Sequence, residues 1–268
     1  MSKLSLMILC GRSPRHLYVA NRLCRAGVPL CIVQEVGREW TKKKIFNLLK
    51  PRNLWRTLRQ RYHGMKRNLR SAEAEFFFGD RTPRLERSDL LVEVPHINHP
   101  DVVALAEKHK PDVIAVFGTS LIRGELLQKG RLGIINLHGG LSPHYRGADC
   151  TFWALYNGQP DQVGCTLHFI DRGIDTGKLI AHVCPEIDES GDEMSLFFRA
   201  VRDSAEAYGE LLDRMERGEK LGQVQTSKGQ LYQVKDRTWR HDLELARKLK
   251  TGLLRGVRLP QRTKWFSV

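Results

Sequence analysis

A doubly wound α/β architecture, with a mostly parallel sheet and helices on both faces, is predicted by two observations. Short apolar runs of strand length alternate with stretches of helical period, and the runs are continuously apolar, as in strands covered on both sides. With 268 residues, 41% hydrophobic and 28% charged, the chain is long enough to bury a full core.

The elements follow in order. Leu4 to Cys10 is the first strand, and Pro14 to Ala26 a helix opened by a first-turn proline and closed by Gly27. Val28 to Val33 and Leu90 to Val94 read as strands, Pro100 to Lys110 as a second proline-opened helix, and Val113 to Phe117 as a strand. Ile122 to Lys129 shows a helical pattern, Gly133 to Leu137 a strand, and Gly164 to Ile170 a further strand-like run. Ser190-Gly191-Asp192-Glu193 is a helix start, with helical period from Met194 to Glu216. The last fifty residues read as a short hairpin around Gly229, a helix from His241 to Lys250 and a basic, mobile end. No apolar run reaches the roughly 20 residues needed to span a bilayer, so a cytoplasmic protein is expected. The six cysteines form no CxxC pair and read as reduced core residues; no metal site is expected.

In such a sheet, ligands bind outside the carboxyl ends of the strands. Asn136-Leu137-His138 falls at such an end, and Gly173-Ile174-Asp175-Thr176-Gly177 follows downstream. An amide, an imidazole and a carboxylate suit attack of an amine on a carbonyl. Asn136 can support a developing oxyanion, an interaction worth about 3 kcal/mol in acyl-transfer sites. His138 can support the oxyanion as a cation or accept the amine proton as a neutral base, and Asp175 can orient it, fix its charge or take a proton through water. Taken singly, each residue also has a structural explanation, as turn former or satisfied polar group. His168 reads as core, and Arg146 as either a loop anchor or an anion contact.

From about Pro111 to about Pro185 the chain resembles the folate-dependent formyltransferases, which include glycinamide ribonucleotide transformylase, methionyl-tRNA formyltransferase and the sugar N-formyltransferases. The Asn-Leu-His run, the Pro143-His144-Tyr145-Arg146-Gly147 loop, the tryptophan segment ending in Asn157-Gly158, the Gly164-Cys165-Thr166 strand and Ile174-Asp175-Thr176-Gly177 stand in the family's order. The resemblance implies a Rossmann-like formyltransferase fold and catalytic roles for Asn136, His138 and Asp175. It implies 10-formyltetrahydrofolate as one-carbon donor, with its pterin read by Ser120, Leu121, Ile122 and Arg123 and by Asp171 and Gly173. Arg12, Ser13, His144 and Arg146 are the candidate acceptor contacts. Where glycinamide-type enzymes carry a Gly-Ser-Asn phosphate loop, this chain has Cys10-Gly11-Arg12-Ser13, although a helix N-terminus there can still hold an anion.

The expected organisation is a catalytic domain over residues 1–218, with a basic helical insertion at about 38–92, and a tail over 219–268 too short for the β-barrel of methionyl-tRNA enzymes. Of the net charge of +14, a net +11 lies in residues 38–70, where Leu54, Trp55, Leu58, Tyr62, Met65 and Leu69 recur at helical spacing among arginines and lysines. A basic amphipathic helix suits packing on the domain, an anionic membrane surface at residues 42–70 or a nucleic acid. These features point to an amino-sugar N-formyltransferase with an anionic small-molecule acceptor, cytoplasmic or peripheral on the inner membrane surface, with nucleic acid the weaker partner. Other amines remain as acceptors: glycinamide ribonucleotide, aminoacyl-tRNA or a secondary metabolite. A non-catalytic folate-binding or interaction module is the rival class.

Overall fold

The computed structural model describes residues 3–37, 69–259 and 261–268. Among them, eight strands form one sheet in the order β10-β8-β7-β5-β4-β1-β2-β3. The parallel half comprises β1 (Ser5–Cys10), β2 (Val28–Glu35), β3 (Leu91–Val94), β4 (Val113–Phe117) and β5 (Gly133–His138). Onto β5 are added, all antiparallel, β7 (Cys165–Phe169), β8 (Leu179–Val183) and β10 (Thr263–Trp265).

The apolar runs are buried on both faces, as expected. On β1, Leu6, Ile8 and Cys10 point into a core shared with Val19 and Leu23 of α1 (Pro14–Ala26), Phe77 of α2 (Leu69–Phe78), and Phe198, Val201 and Tyr208 of α5 (Glu193–Glu216). Met7 and Leu9 point the other way, toward Val102 and Ala106 of α3 (Pro100–His109). Fully buried Tyr208 donates its hydroxyl to the Ile135 carbonyl at 2.7 Å, tying α5 to the strand that carries the site. A third cluster joins Phe152 and Leu155 of α4 (Cys150–Tyr156) to Leu245 of α6 (Trp239–Lys250).

Helix starts follow their sequence signals. Pro14 and Pro100 occupy first-turn positions, and Asp192 caps α5, its carboxylate accepting the Ser195 N–H at 2.8 Å. Three expectations are corrected. The helical pattern from Ile122 to Lys129 yields only a 3₁₀ turn over Gly124–Gln128, because Gly124 sits at φ +69°, outside helical backbone space. No hairpin forms around Gly229: β9 (Gln230–Tyr232) instead pairs in parallel with β6 (Tyr145–Gly147). Gly229, at φ +52°, permits this because any Cβ there would lie 1.5 Å from the Pro143 carbonyl oxygen. The basic end is not loose either; β10 closes the sheet beside β8, and Arg214 lies 4.4 Å over the Trp265 ring.

The proposed basic amphipathic helix lies outside the described residues, apart from Leu69 and Arg70, which open α2. All six cysteines are free thiols. Among the described residues, no helix is long and apolar enough to cross a membrane. Replacing Tyr208 with Phe should cost about 1–2 kcal/mol by leaving a buried carbonyl short of a donor, measurable as a lower urea midpoint at unchanged slope.

Candidate active site

Five parallel strands in the order 3-2-1-4-5 place a topological switch between β1 and β4, so a crevice opens beyond Cys10 and Phe117. A cavity of about 390 Å³ occupies it and extends to the end of β5. Asn136, His138 and Asp175 all line this cavity. The first two stand two residues apart on β5 and so share a face, while Asp175 arrives on the β7–β8 connection in a left-handed conformation at φ +53°. That connection is tight: Gly173 N–H and Thr176 Oγ1 both donate to Asp171 Oδ1, at 2.9 and 2.6 Å. Gln225 Nε2 donates to the Asp175 and Gly177 carbonyls, at 2.9 and 2.7 Å.

His138 Nδ1 lies 3.4 Å from Asp175 Oδ2, and its Nε2 lies 3.1 Å from the Tyr145 carbonyl and 3.6 Å from Cys150 Sγ. Asp175 Oδ2 accepts the Gly147 N–H at 2.9 Å, and its Oδ1 stands 3.6 Å from His168 Nε2. His168 Nδ1, 2.8 Å from the Phe169 carbonyl, is placed to donate, leaving Nε2 to accept from Asn136 Nδ2 at 3.2 Å. Asn136 and His168 are direct partners across the antiparallel β5–β7 pair. The buried His168 read as core therefore holds the Asn136 amide and stands beside the carboxylate.

Burial lowers the His138 pKa and outweighs the upward pull of Asp175, so the ring is neutral at rest. For Asp175, burial pushes upward, but His138, His168 and the Gly147 N–H prevail and hold the carboxyl at about 2. The pair at pH 7 is thus an ionised carboxylate beside an imidazole whose two nitrogens both face acceptor oxygens. Such a ring is ready to receive a proton.

Ser120, Leu121, Ile122, Asp171 and Gly173 border the same cavity, with Leu121 and Ile174 exposed at its mouth. The Asp171 side chain is spent on the turn. Arg123 is exposed, and its backbone N–H donates to Asn98 Oδ1 at 2.7 Å. Arg146 is buried and donates to the Ile174 carbonyl at 3.2 Å, which makes it an anchor of the Asp175 loop rather than a free cation. His144 is exposed and faces a separate groove of about 440 Å³ bordered by His182 and Lys264.

The expected anion cradle at Arg12 and Ser13 is closed by the chain itself. Ser13 N–H donates to His16 Nδ1 at 3.3 Å, and Arg15 N–H donates to Glu73 Oε1 at 2.8 Å, with Arg15 Nη1 also 2.9 Å from Glu73 Oε2. The buried Glu73 carboxylate supplies the negative charge favoured by the α1 N-terminus. Arg12 is exposed outside the cavity lining, whereas Arg15 and His16, not singled out from sequence, form part of it. His16 fits because Gly11 and Gly118 leave space for its ring.

Burial lowers His16 to about 3, with Arg15 adding to the shift, and lowers His182 to about 4. Between pH 6.5 and those values the unfolded chain binds protons that the folded one does not. Stability should therefore fall as pH falls across this window, each group contributing up to about 1.4 kcal/mol per pH unit. Urea unfolding at pH 7.5 and 5.0 measures the slope, which His16→Gln should make shallower; an identical slope in that variant would show that His16 is not buried neutral.

The formyl transferase family model matches residues 44–211, more than half of the chain. Methionyl-tRNA formyltransferase of Chlorobium chlorochromatii is 32% identical over 123 residues, covering 46% of this chain and 39% of that protein. Its Geobacter metallireducens counterpart is 37% identical over 124 residues, with the same two coverages. The chain thus spans about two fifths of the length of these relatives. The fold is that of a sugar N-formyltransferase from a Shewanella species (TM-score 0.57, 16% identity, 91% of this chain and 87% of that one). It is also that of a phosphoribosylglycinamide formyltransferase from Anaplasma phagocytophilum (TM-score 0.55, 18% identity, 86% and 98%). The family match over more than half of the chain, together with the shared fold, shows that the chain belongs to the formyl transferase family.

Proposed function

We propose that the chain is an N-formyltransferase that moves a formyl group from 10-formyltetrahydrofolate to a primary amine. One observation carries the reading: Asn136, His138 and Asp175 converge on a single cavity that is also walled by the apolar, backbone-rich pair of loops at Ser120–Ile122 and Ile170–Ile174. That wall fits the donor. A flat heterocycle finds apolar surface in Leu121, Ile122 and Ile170, with backbone groups beside them. The donor supplies the formyl carbon when bound.

The residues divide the work. As the acceptor nitrogen bonds to the formyl carbon, negative charge gathers on oxygen. One Asn136 N–H is held by His168, leaving the other for that oxygen. The amine proton passes to neutral His138, and the resulting imidazolium is stabilised by the Tyr145 carbonyl on one side and ionised Asp175 on the other. Cleavage of the donor's C–N bond then gives the formamide, with the proton returned to the departing nitrogen.

The acceptor we favour is an amino sugar, nucleotide-linked or glycan-linked. Glu73 supports this, because it leaves no vacant anion site at the start of α1 for a ribonucleotide phosphate. A second reading, aminoacyl-tRNA, is supported by the net charge of +14 and by the likeness to methionyl-tRNA formyltransferases.

Amine-dependent conversion of 10-formyltetrahydrofolate to tetrahydrofolate, assayed over nucleotide-linked amino sugars, glycinamide ribonucleotide and methionyl-tRNA, tests both. Turnover is expected with amino sugars. Asn136→Ala should lose about 10²- to 10³-fold in kcat, and His138→Ala and Asp175→Asn should abolish turnover in folded protein. Wild-type rates in either of the last two would remove that residue from the mechanism.

A further inference from the structure

Strand β6 is three residues long, yet it is hydrogen-bonded along both edges. On one edge, Gln230 N–H donates to the His144 carbonyl at 3.3 Å and Ala148 N–H to the Tyr232 carbonyl at 2.9 Å. On the other, the Tyr145 carbonyl meets His138 Nε2 and the Gly147 N–H meets Asp175 Oδ2. Backbone groups of successive strand residues point to opposite edges. Residues 144, 146 and 148 therefore face β9, and 145 and 147 face the site. The imidazole and the carboxylate stand where the backbone of a neighbouring strand would otherwise be.

Tyr232 fixes the arrangement from the β9 side. Its ring stacks on Trp153, centroids 4.6 Å apart and planes 13° apart, and on Tyr145, at 5.8 Å and 11°. Asn157 Nδ2 donates to both hydroxyls, at 3.0 Å to Tyr232 and 3.1 Å to Tyr145. The two strands approach so closely at Gly147 that a Cβ there would lie 2.2 Å from the Tyr232 carbonyl oxygen. Rotating Tyr145 about the strand axis would break the stack and its hydroxyl's contacts with Asn157 and Gln159. The carbonyl facing His138 is thereby held in direction.

We infer that Tyr232 is a positioning residue for the His138–Asp175 pair, acting through Tyr145 and strand β6. The segment Gln230–Tyr232, which lies beyond the family-matched residues 44–211, thus belongs to the active site. The kinetic part of the inference rests on the proposed formyl transfer; the geometric part does not.

The test uses the full chain with Tyr232→Ala, Tyr232→Phe and Tyr232→Leu, the last keeping apolar volume should the alanine variant fail to fold. Three readouts are taken: titration of the His138 ring nitrogens by NMR, assigned with His138→Ala; thermal unfolding; and kcat and KM for the formyl donor. The ionisable groups facing His138 are Asp175, His168, Arg146 and Cys150, none of which is altered. Tyr232→Ala and Tyr232→Leu should move the His138 midpoint by about half a pH unit or more and lower kcat about tenfold, with KM for the donor changed less than twofold. Tyr232→Phe should restore both. An unmoved His138 titration in folded Tyr232→Ala or Tyr232→Leu, whatever the rate, overturns the inference. A midpoint that moves in a chain showing no formyl transfer supports the positioning and overturns the reaction.

Discussion

Placing an ionised carboxylate beside a neutral imidazole, with side chains only 13% and 8% exposed, is the constraint on which the rest of the structure depends. A buried charge without partners costs several kcal/mol, so the Asp175 carboxylate must be provided for. Oδ2 has the Gly147 N–H and His138, and Oδ1 has His168 as a neighbour at 3.6 Å. These neighbours come from three different elements: β6, β5 and β7. The site is thus a junction that forms only when three strands and a loop are in register.

The antiparallel half of the sheet makes this junction possible. A parallel successor to β5 would have to cross back to the amino ends of the strands before starting, carrying the chain away from the carboxyl ends. By reversing direction, β7 sets His168 directly opposite Asn136, and the short return to β8 holds Asp175 against His138. The parallel half supplies the crevice together with Asn136 and His138, and the antiparallel half adds His168 and Asp175 to its lining.

The parallel strands were legible in the sequence because burial on both faces demands continuous apolar runs, and the boundaries of α1 and α5 follow from Pro14 and Asp192. Asn136, His138 and Asp175 could be singled out because they stand in the order of the formyltransferase motifs, at a strand end and in a glycine-flanked turn, although each taken singly has a structural explanation. His168 was hidden for a physical reason: in a strand it reads as any buried polar residue, and only its register with Asn136 gives it a neighbour. Arg15, His16 and Glu73 escaped likewise, since the pairing of a helix N-terminus with a distant helix is a tertiary fact. The pairing of β9 with β6 was illegible because three residues carry no periodicity and parallel partners far apart in sequence leave no turn signal.

The two-edged strand β6 also has a temporal consequence. Gln230–Tyr232 leave the ribosome well after Asp175, His138 and every strand of the parallel half. The hydrophobic core can therefore collapse on a nascent chain whose carboxylate and imidazole are not yet clamped from the β9 side. Docking of β9 on β6 is thus a separate, late event, and a chain truncated ahead of β9, which would lack α6 and β10 as well, would leave that edge of β6 unpaired.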